Sequence, residues 1–321
     1  MSASGTRAGG PIPLIMGPTG AGKTDLAIHL ADRLPIEIVS VDSAMVYQSM
    51  DIGTGKPSRE VLRQYPHHLV DILDPAQAYS AGQFVRDAYR AIDEIRARGK
   101  CPLLVGGTML YFRALRRGLA EMPQADAHVR SAIDAEAAQR GWPALHAELA
   151  VIDPTAAARI HPTDAQRIQR ALEVHRLTGS TLTGLHASAK PMRPDLSFVA
   201  FAWSPGDRSR LYEGIERRFE RMMRDGLLKE VKRLYERGDL HAKLPAVRSV
   251  GYRQLWEHLS GDEPLNSAVQ RAIFATRHLA RRQLVWLRSE TDLQWVDALE
   301  STARAHMEET LSALTSYAAP Y

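Results

Sequence analysis

The stretch Gly17-Pro18-Thr19-Gly20-Ala21-Gly22-Lys23-Thr24 fits the pattern G-x-x-x-x-G-K-[ST], with an apolar run before it and helical spacing after it. That spacing binds phosphate. The glycines allow a tight loop whose backbone N–H groups converge on an anion, and the following helix N-terminus adds positive potential. Lys23 supplies a point charge for terminal phosphates, and the Thr24 hydroxyl is a ligand for Mg²⁺. The motif establishes phosphate binding and leaves the reaction open.

Two further loops carry chemistry. The run from Ile36 to Val41 ends in Asp42-Ser43, which puts a carboxylate at the carboxyl edge of the same sheet. Three roles are open to Asp42: Mg²⁺ carboxylate, general base, or helix N-cap. Val105-Gly106-Gly107-Thr108 again follows a strand and opens into a helix. Its glycines permit close backbone approach and Thr108 can hydrogen-bond a ligand, the alternative being a capped turn. Three such loops at one sheet edge favour one shared site.

The elements that must position these loops read as an α/β fold, a P-loop parallel sheet flanked by helices. The first ~115 residues alternate strand-like runs (12–16, 36–41, 102–105) with helical segments (25–33, 80–98). From about Gly118 the chain turns Ala-, Glu- and Arg-rich. Helical stretches over 126–140, 142–150 and 164–177 are separated by breakers such as Asp153-Pro154 and His161-Pro162. Residues 118–195 therefore read as an all-α insertion without strands. Leu196 to Trp203 is expected to be the final strand, rejoining the sheet. Helical patterns follow over 208–237, 250–259 and 265–287, and then a weak helix and tail. The catalytic domain is expected over 11–117 and 196–321, with residues 1–10 as a disordered tail.

Composition narrows the class. The chain has 321 residues, 45% hydrophobic and 24% charged, ordinary for a globular protein. The one cysteine, Cys101, excludes internal disulfides and Cys-rich zinc sites. No apolar run reaches the ~20 residues a bilayer requires, and a cytoplasmic location is expected. Net charge is +4, yet residues 205–290 hold 18 Lys and Arg against 12 Asp and Glu. Basic charge gathered in one region suits a polyanion such as nucleic acid, and solvated helix faces are the alternative.

These residues resemble one family, the tRNA dimethylallyltransferases. The resemblance rests on the phosphate loop, on Ser40-Val-Asp-Ser-Ala-Met-Val-Tyr47 with Asp51-Ile-Gly-Thr-Gly-Lys-Pro57, and on Val105-Gly-Gly-Thr-Met-Leu-Tyr111. It continues through His161-Pro, Gln166-Arg-Ile-Gln-Arg170-Ala-Leu-Glu, Arg248-Ser-Val-Gly-Tyr-Arg253 and Arg281-Arg-Gln-Leu-Val-Trp-Leu-Arg288. Departures are small: Gly20-Ala21 stands for a more usual Ala-Ser, and Gly55 for Ala. The single cysteine sets the chain apart from eukaryotic members with a zinc finger.

The resemblance implies transfer of a dimethylallyl group from dimethylallyl diphosphate to N6 of adenine 37, in the anticodon stem-loop of tRNAs reading codons that begin with U. Diphosphate is released, so the P-loop serves without ATP. Lys23, Asp42 and Thr108 are the implied catalytic residues, with Asp42 as base and Mg²⁺ beside Thr24. The implied RNA contacts are Asp42, Ser43, Ala44, Met45, Thr108, Arg130, Gln166, Arg167, Ile168, Gln169, Arg170 and Arg218. They extend through Arg248, Ser249, Val250, Gly251, Tyr252, Arg253, Arg281, Arg282, Gln283, Trp286 and Arg288. On helical spacing Arg281, Arg282 and Arg288 cannot all point one way. Either Arg217 or Arg218 is a contact to diphosphate or nucleotide, with ion pairing to Glu213 or Glu216 as the alternative. A target base must leave its stack to reach such a site.

His67, His68, Met222, Met223 and Cys101 read as structural. The rival functions are a P-loop small-molecule kinase, an adenylate isopentenyltransferase acting on free nucleotides, and a non-catalytic RNA-binding protein. The Arg-rich blocks after residue 160 favour a tRNA substrate over the first two, and Asp42 would have no role in the third. A monomer is expected.

Overall fold

In a computed structural model of the chain, the described residues are 10–120, 122–188 and 190–315. The elements run in the order β1 (Ile12–Met16), α1 (Lys23–Ala31), β2 (Ile36–Val41), α2 (Arg59–Gln64), β3 (His67–His68), α3 (Ala81–Ala97), β4 (Cys101–Gly106) and α4 (Met109–Arg117). Next come α5 (Ala127–Arg140), α6 (Trp142–Ile152), α7 (Pro154–Ala157), α8 (Ala165–Thr178) and α9 (Leu182–Ala187). The chain closes with β5 (Phe198–Ser204), α10 (Arg208–Arg224), α11 (Leu227–Tyr235), α12 (Tyr252–Leu259), α13 (Leu265–Ser289), β6 (Leu293–Asp297) and α14 (Ala303–Thr315).

Chain contacts separate two compact units, Met1–Arg113 with Arg193–Tyr321, and Ala114–Met192. In the first, six strands form one parallel sheet in the order β3-β2-β4-β1-β5-β6. Strands β1, β2 and β4 are buried at every position, the pattern of parallel strands covered by helices on both faces. One core joins this sheet to α1 and α14 through Leu26, Leu30, Met307 and Leu311. A second gathers α10 to α13 around Val231, Tyr252, Leu255 and Ile273.

The second unit is helical, with Ile133, Leu145, Leu149, Ile168 and Leu172 forming its core. Its described residues carry one isolated bridge, Leu119 with Lys190, and no named strand.

The structure corrects two expectations. β5 is not the last strand, because β6 pairs beside it from Ala200 opposite Leu293 to Ser204 opposite Asp297. Two of its five positions are exposed, so this edge strand lacks the apolar run that betrays a central one. The helix expected over 208–237 is two helices, because Gly226 takes the left-handed φ of 104° between α10 and α11. The expected disordered tail falls largely on residues 1–9, outside those described. Gly10 is held, its carbonyl accepting from Arg96 at 2.7 Å.

Candidate active site

Strand register brings the three loops together. Met16 and Val41 both lie level with Gly106 on the strand between them. Gly17, Gly107 and Asp42 therefore leave three adjacent strands side by side at their carboxyl ends, where open parallel sheets bind ligands. Gly20 and Gly22 take φ of 84° and 77°, conformations that a Cβ disfavours and that the tight phosphate loop requires.

The loop is secured from two directions. The Trp203 indole N–H on β5 donates to the Ala21 carbonyl at 2.8 Å. From α13, Gln283 Nε2 donates to the Gly107 carbonyl at 2.7 Å and its Oε1 accepts the Thr19 N–H at 2.8 Å. Expected among the RNA contacts, Gln283 instead commits its amide to joining two of the three loops. Thr108 makes the third connection, its hydroxyl accepting the Ser43 N–H at 3.1 Å.

Asp42 is held by its own turn. Oδ1 accepts the N–H groups of Ala44 at 2.8 Å and Met45 at 3.2 Å, a local side-chain cap that also fixes the rotamer. No helix follows directly, so the cap is of a turn. Oδ2 carries no hydrogen bond among the described residues, and Asp42 lines the cavity. The cap therefore occupies one oxygen of the carboxylate and leaves the other without a hydrogen bond.

The cavity has a volume of about 890 Å³ and is lined by Gly20, Gly22, Lys23, Thr24, Asp42, Arg218 and Gln283 among others. Lys23 Nζ donates to the Pro18 carbonyl at 2.8 Å. Burial pushes its ammonium down to about 8, Asp42 partly opposing that shift and Arg218 adding to it. Burial likewise lowers Arg218, whose hydrogen bond to the Thr54 carbonyl is long at 3.5 Å. Two poorly compensated cations facing one cavity make an anion site.

The ion-pairing alternative left open for the Arg217–Arg218 pair falls to Arg217. Arg217 takes the exposed ion pair with Glu213 at 3.5 Å, while Glu216 pairs with Arg277. Met222 packs against the second core and also lines the cavity.

The remaining residues expected to touch RNA are distributed unevenly. Arg248, Arg253, Arg281, Arg282 and Arg288 are exposed on the first unit, and Trp286 carries the Arg113 guanidinium 5.7 Å from its ring centre. Gly251 is buried, its N–H donating to Gln254, with Ser249 and Val250 half-buried beside it. Tyr252 is a core residue, 1% exposed, which removes its side chain from RNA contact.

In the helical unit Gln166 and Arg167 are exposed, and Gln169 donates to Asp134 at 2.6 Å. Ile168 is fully buried in that unit's core, so its side chain too is withdrawn from RNA. Arg130 and Arg170 both bind the buried Glu173, at 2.8 and 2.6 Å.

Sequence reading assigned no role to the loop 51–57, which forms part of the cavity wall, or to Glu230 on α11, which holds it. The signal was present: Leu227, Glu230, Val231 and Leu234 lie at helical apolar spacing and are buried. A carboxylate on an apolar face requires partners.

Among the described residues no group of three or more His, Cys, Asp or Glu could hold a metal ion. A hard cation would share its ligands with bound phosphate, with Thr24 and Asp42 as cavity-lining oxygens. Mg²⁺ fits such a site, because it keeps few protein ligands beside substrate phosphates.

Known proteins supply an independent line. The model of the IPP transferase family matches residues 45–290 and that of the isopentenyl transferase family residues 10–71. The tRNA dimethylallyltransferase of Thioalkalivibrio sulfidiphilus is 52% identical over 305 residues, 93% of this chain and 95% of the relative. That of Cupriavidus necator is 53% identical over 294 residues, 90% and 91% of the two chains. Among solved structures, the tRNA isopentenylpyrophosphate transferase of Bacillus halodurans is 34% identical, with a TM-score of 0.67 over 96% of this chain and 97% of that one. A eukaryotic dimethylallyltransferase acting on tRNA, 24% identical, shares the fold with a TM-score of 0.79 over 97% and 80%.

Proposed function

The chain belongs to the tRNA dimethylallyltransferase family, and from that premise we propose how this cavity serves the reaction. It is a prenyl-transferring enzyme acting on tRNA. The donor is dimethylallyl diphosphate and the acceptor is N6 of adenine 37, in tRNAs that read codons beginning with U. The observation that carries this reading is the pairing of two half-buried cations, Lys23 and Arg218, with the carboxylate of Asp42 on one cavity.

The phosphate loop and the two cations receive the diphosphate and stabilise the charge it gains on leaving. N6 of adenine is a weak nucleophile because its lone pair is shared with the ring. As the new C–N bond forms and the C–O bond to diphosphate breaks, N6 must lose a proton. Asp42 Oδ2 is the acceptor, and the turn bonds to Oδ1 hold it in place. Thr108 keeps the Asp42–Ser43 turn against the third loop and helps orient the adenine. Mg²⁺, when bound with the diphosphate beside Thr24, neutralises part of the leaving charge.

The target base is presented out of its stack, and the exposed arginines of α13 and of the 248–253 segment receive RNA phosphates. The enzyme is taken as a cytoplasmic monomer; no described helix is long and apolar enough to cross a membrane. Neither the family match nor the relatives support a kinase.

The test is to incubate unmodified tRNA carrying A36–A37 with labelled dimethylallyl diphosphate and Mg²⁺, then to digest and analyse the nucleosides. Label on N6 of adenosine 37 without ATP supports the reading. Transfer of phosphate from ATP to an acceptor, with unlabelled tRNA, rejects it.

A further inference from the structure

Glu230 is a carboxylate with 2% exposure that makes no ion pair among the described residues. Its Oε2 accepts the N–H groups of Asp51 at 3.0 Å and Ile52 at 2.8 Å. Its Oε1 accepts the Gly53 N–H at 3.1 Å and the Tyr252 hydroxyl at 2.5 Å. Three of the four donors are consecutive amides of a segment outside any helix or strand. Such amides must find partners outside the backbone ladder, and Glu230 provides them.

The same segment is gripped from its other end. Lys56, its side chain 2% exposed, binds Asp51 at 2.6 Å and Asp71 at 2.5 Å, and donates to the Tyr47 carbonyl at 3.0 Å. The loop is thus fixed between a buried anion and a buried cation. Gly53 has no room for a side chain, since a Cβ there would strike Tyr252 and Leu227.

Beyond the three gripped amides the loop meets Arg218. The Thr54 carbonyl accepts a hydrogen bond from that side chain. The guanidinium fills the space where Gly55 lacks a Cβ. Among the described residues no carboxylate lies within ion-pair distance of Arg218, so the loop is what locates it.

We propose that Glu230 is a positioning residue of the anion site: by fixing the amides of Asp51–Gly53 it sets Thr54 and Gly55, and through them the Arg218 guanidinium that meets the diphosphate. The proposal rests on the reading of this cavity as a diphosphate site. A carboxylate that merely filled the core would act on anion binding independently of Arg218, and that difference is measurable.

The experiment is calorimetric titration of the full chain with inorganic pyrophosphate and Mg²⁺, for wild type, Glu230→Gln, Arg218→Ala and the double variant. An amide at 230 turns one acceptor into a donor against backbone N–H groups. Glu230→Gln should weaken pyrophosphate by about tenfold, and tRNA affinity by less than about twofold. In the Arg218→Ala background the same change should cost less than about twofold, since coupled residues are non-additive. Glu230→Asp, which keeps the charge and withdraws the oxygens, should act in the same direction and serves if the amide variant does not fold.

Equal weakening with and without Arg218, or wild-type pyrophosphate binding by either variant, overturns the proposal. Wild-type enzyme that binds no pyrophosphate at all overturns the diphosphate reading beneath it, which the variants alone would not touch.

Discussion

Gln283 donates to the Gly107 carbonyl across 2.7 Å, so a helix near the end of the chain holds one of the loops that line the cavity. With Gln283 Oε1 on the Thr19 N–H, the side-chain amide is satisfied at both ends. The relative position of the phosphate loop and the Gly107–Thr108 loop is therefore set by α13 as well as by the sheet.

Replacing Gln283 with Ala leaves the Thr19 N–H and the buried Gly107 carbonyl without these partners, at a cost of about 1–3 kcal/mol. The expected result is a rise in KM for the prenyl donor of about tenfold with a lowered Tm. Steady-state kinetics with donor and tRNA varied separately will show whether the defect lies on the donor side.

Lys23 gives a pH dependence of known sign. Its ammonium is pushed from 10.5 down to about 8 by burial, so across that window the unfolded chain holds a proton that the folded chain has released. This lysine makes stability rise with pH there, and below it a buried charge is held at a cost of about 3 kcal/mol. Lys23→Met should therefore raise Tm at pH 7 while losing pyrophosphate binding. Wild-type affinity for pyrophosphate should fall from about pH 8 to about pH 10 relative to Lys23→Arg, as read by calorimetry across that range.

Glu37 on β2 gives a dependence of the same sign in the acid range. Burial alone would raise its pKa, but hydrogen bonds from Arg98, His68 and Lys100 bring it down to about 2. A depressed carboxyl contributes stability above its unfolded value, which is lost as pH falls from about 4.5 towards 2. Acid unfolding followed by circular dichroism should be shallower over that window in Glu37→Gln, whose neutral-pH stability is lower.

The arginines of α13 divide by partner. Arg271 is paired with Glu257 and Glu263, and Arg277 with Glu216. Arg281 and Arg288 have no carboxylate partner among the described residues. Ala at 281 or 288 should weaken tRNA binding and lower the slope of log Kd against log salt by about 0.7 to 1 for each phosphate no longer neutralised. Ala at 271 should leave that slope unchanged.

The juxtaposition of the three loops was legible in the sequence because its parts are local. Glycines at fixed offsets, a strand before and a helix after, and Asp42 at a strand end each declare themselves within a few residues. Connections across the chain were not legible. Gln283 sits 176 residues from Gly107, and inside an Arg-rich block it reads as another RNA contact. Tyr252 and Ile168 were drawn into the same expectation by their neighbours, though each is buried.

The choice between Arg217 and Arg218 depended on which one reached Glu213, a matter of helix phase against unseen partners. The edge strand β6 was hidden by its exposed positions. Glu230 was visible only as a charge on an apolar face, a sign of burial that does not name the partners.

If Asp42 accepts the N6 proton while the phosphate loop holds the leaving diphosphate, removing only its basic oxygen must slow the chemical step. The most direct measurement is single-turnover transfer from labelled dimethylallyl diphosphate to tRNA by wild type and Asp42→Asn, at saturating concentrations of both substrates. Asparagine can keep the Oδ1 bonds to Ala44 and Met45 while losing the basic oxygen. Donor and tRNA affinities should stay within about twofold of wild type, and the transfer rate should fall by about 10²–10⁴. Transfer by Asp42→Asn at the wild-type rate would contradict the assignment of Asp42 as the base.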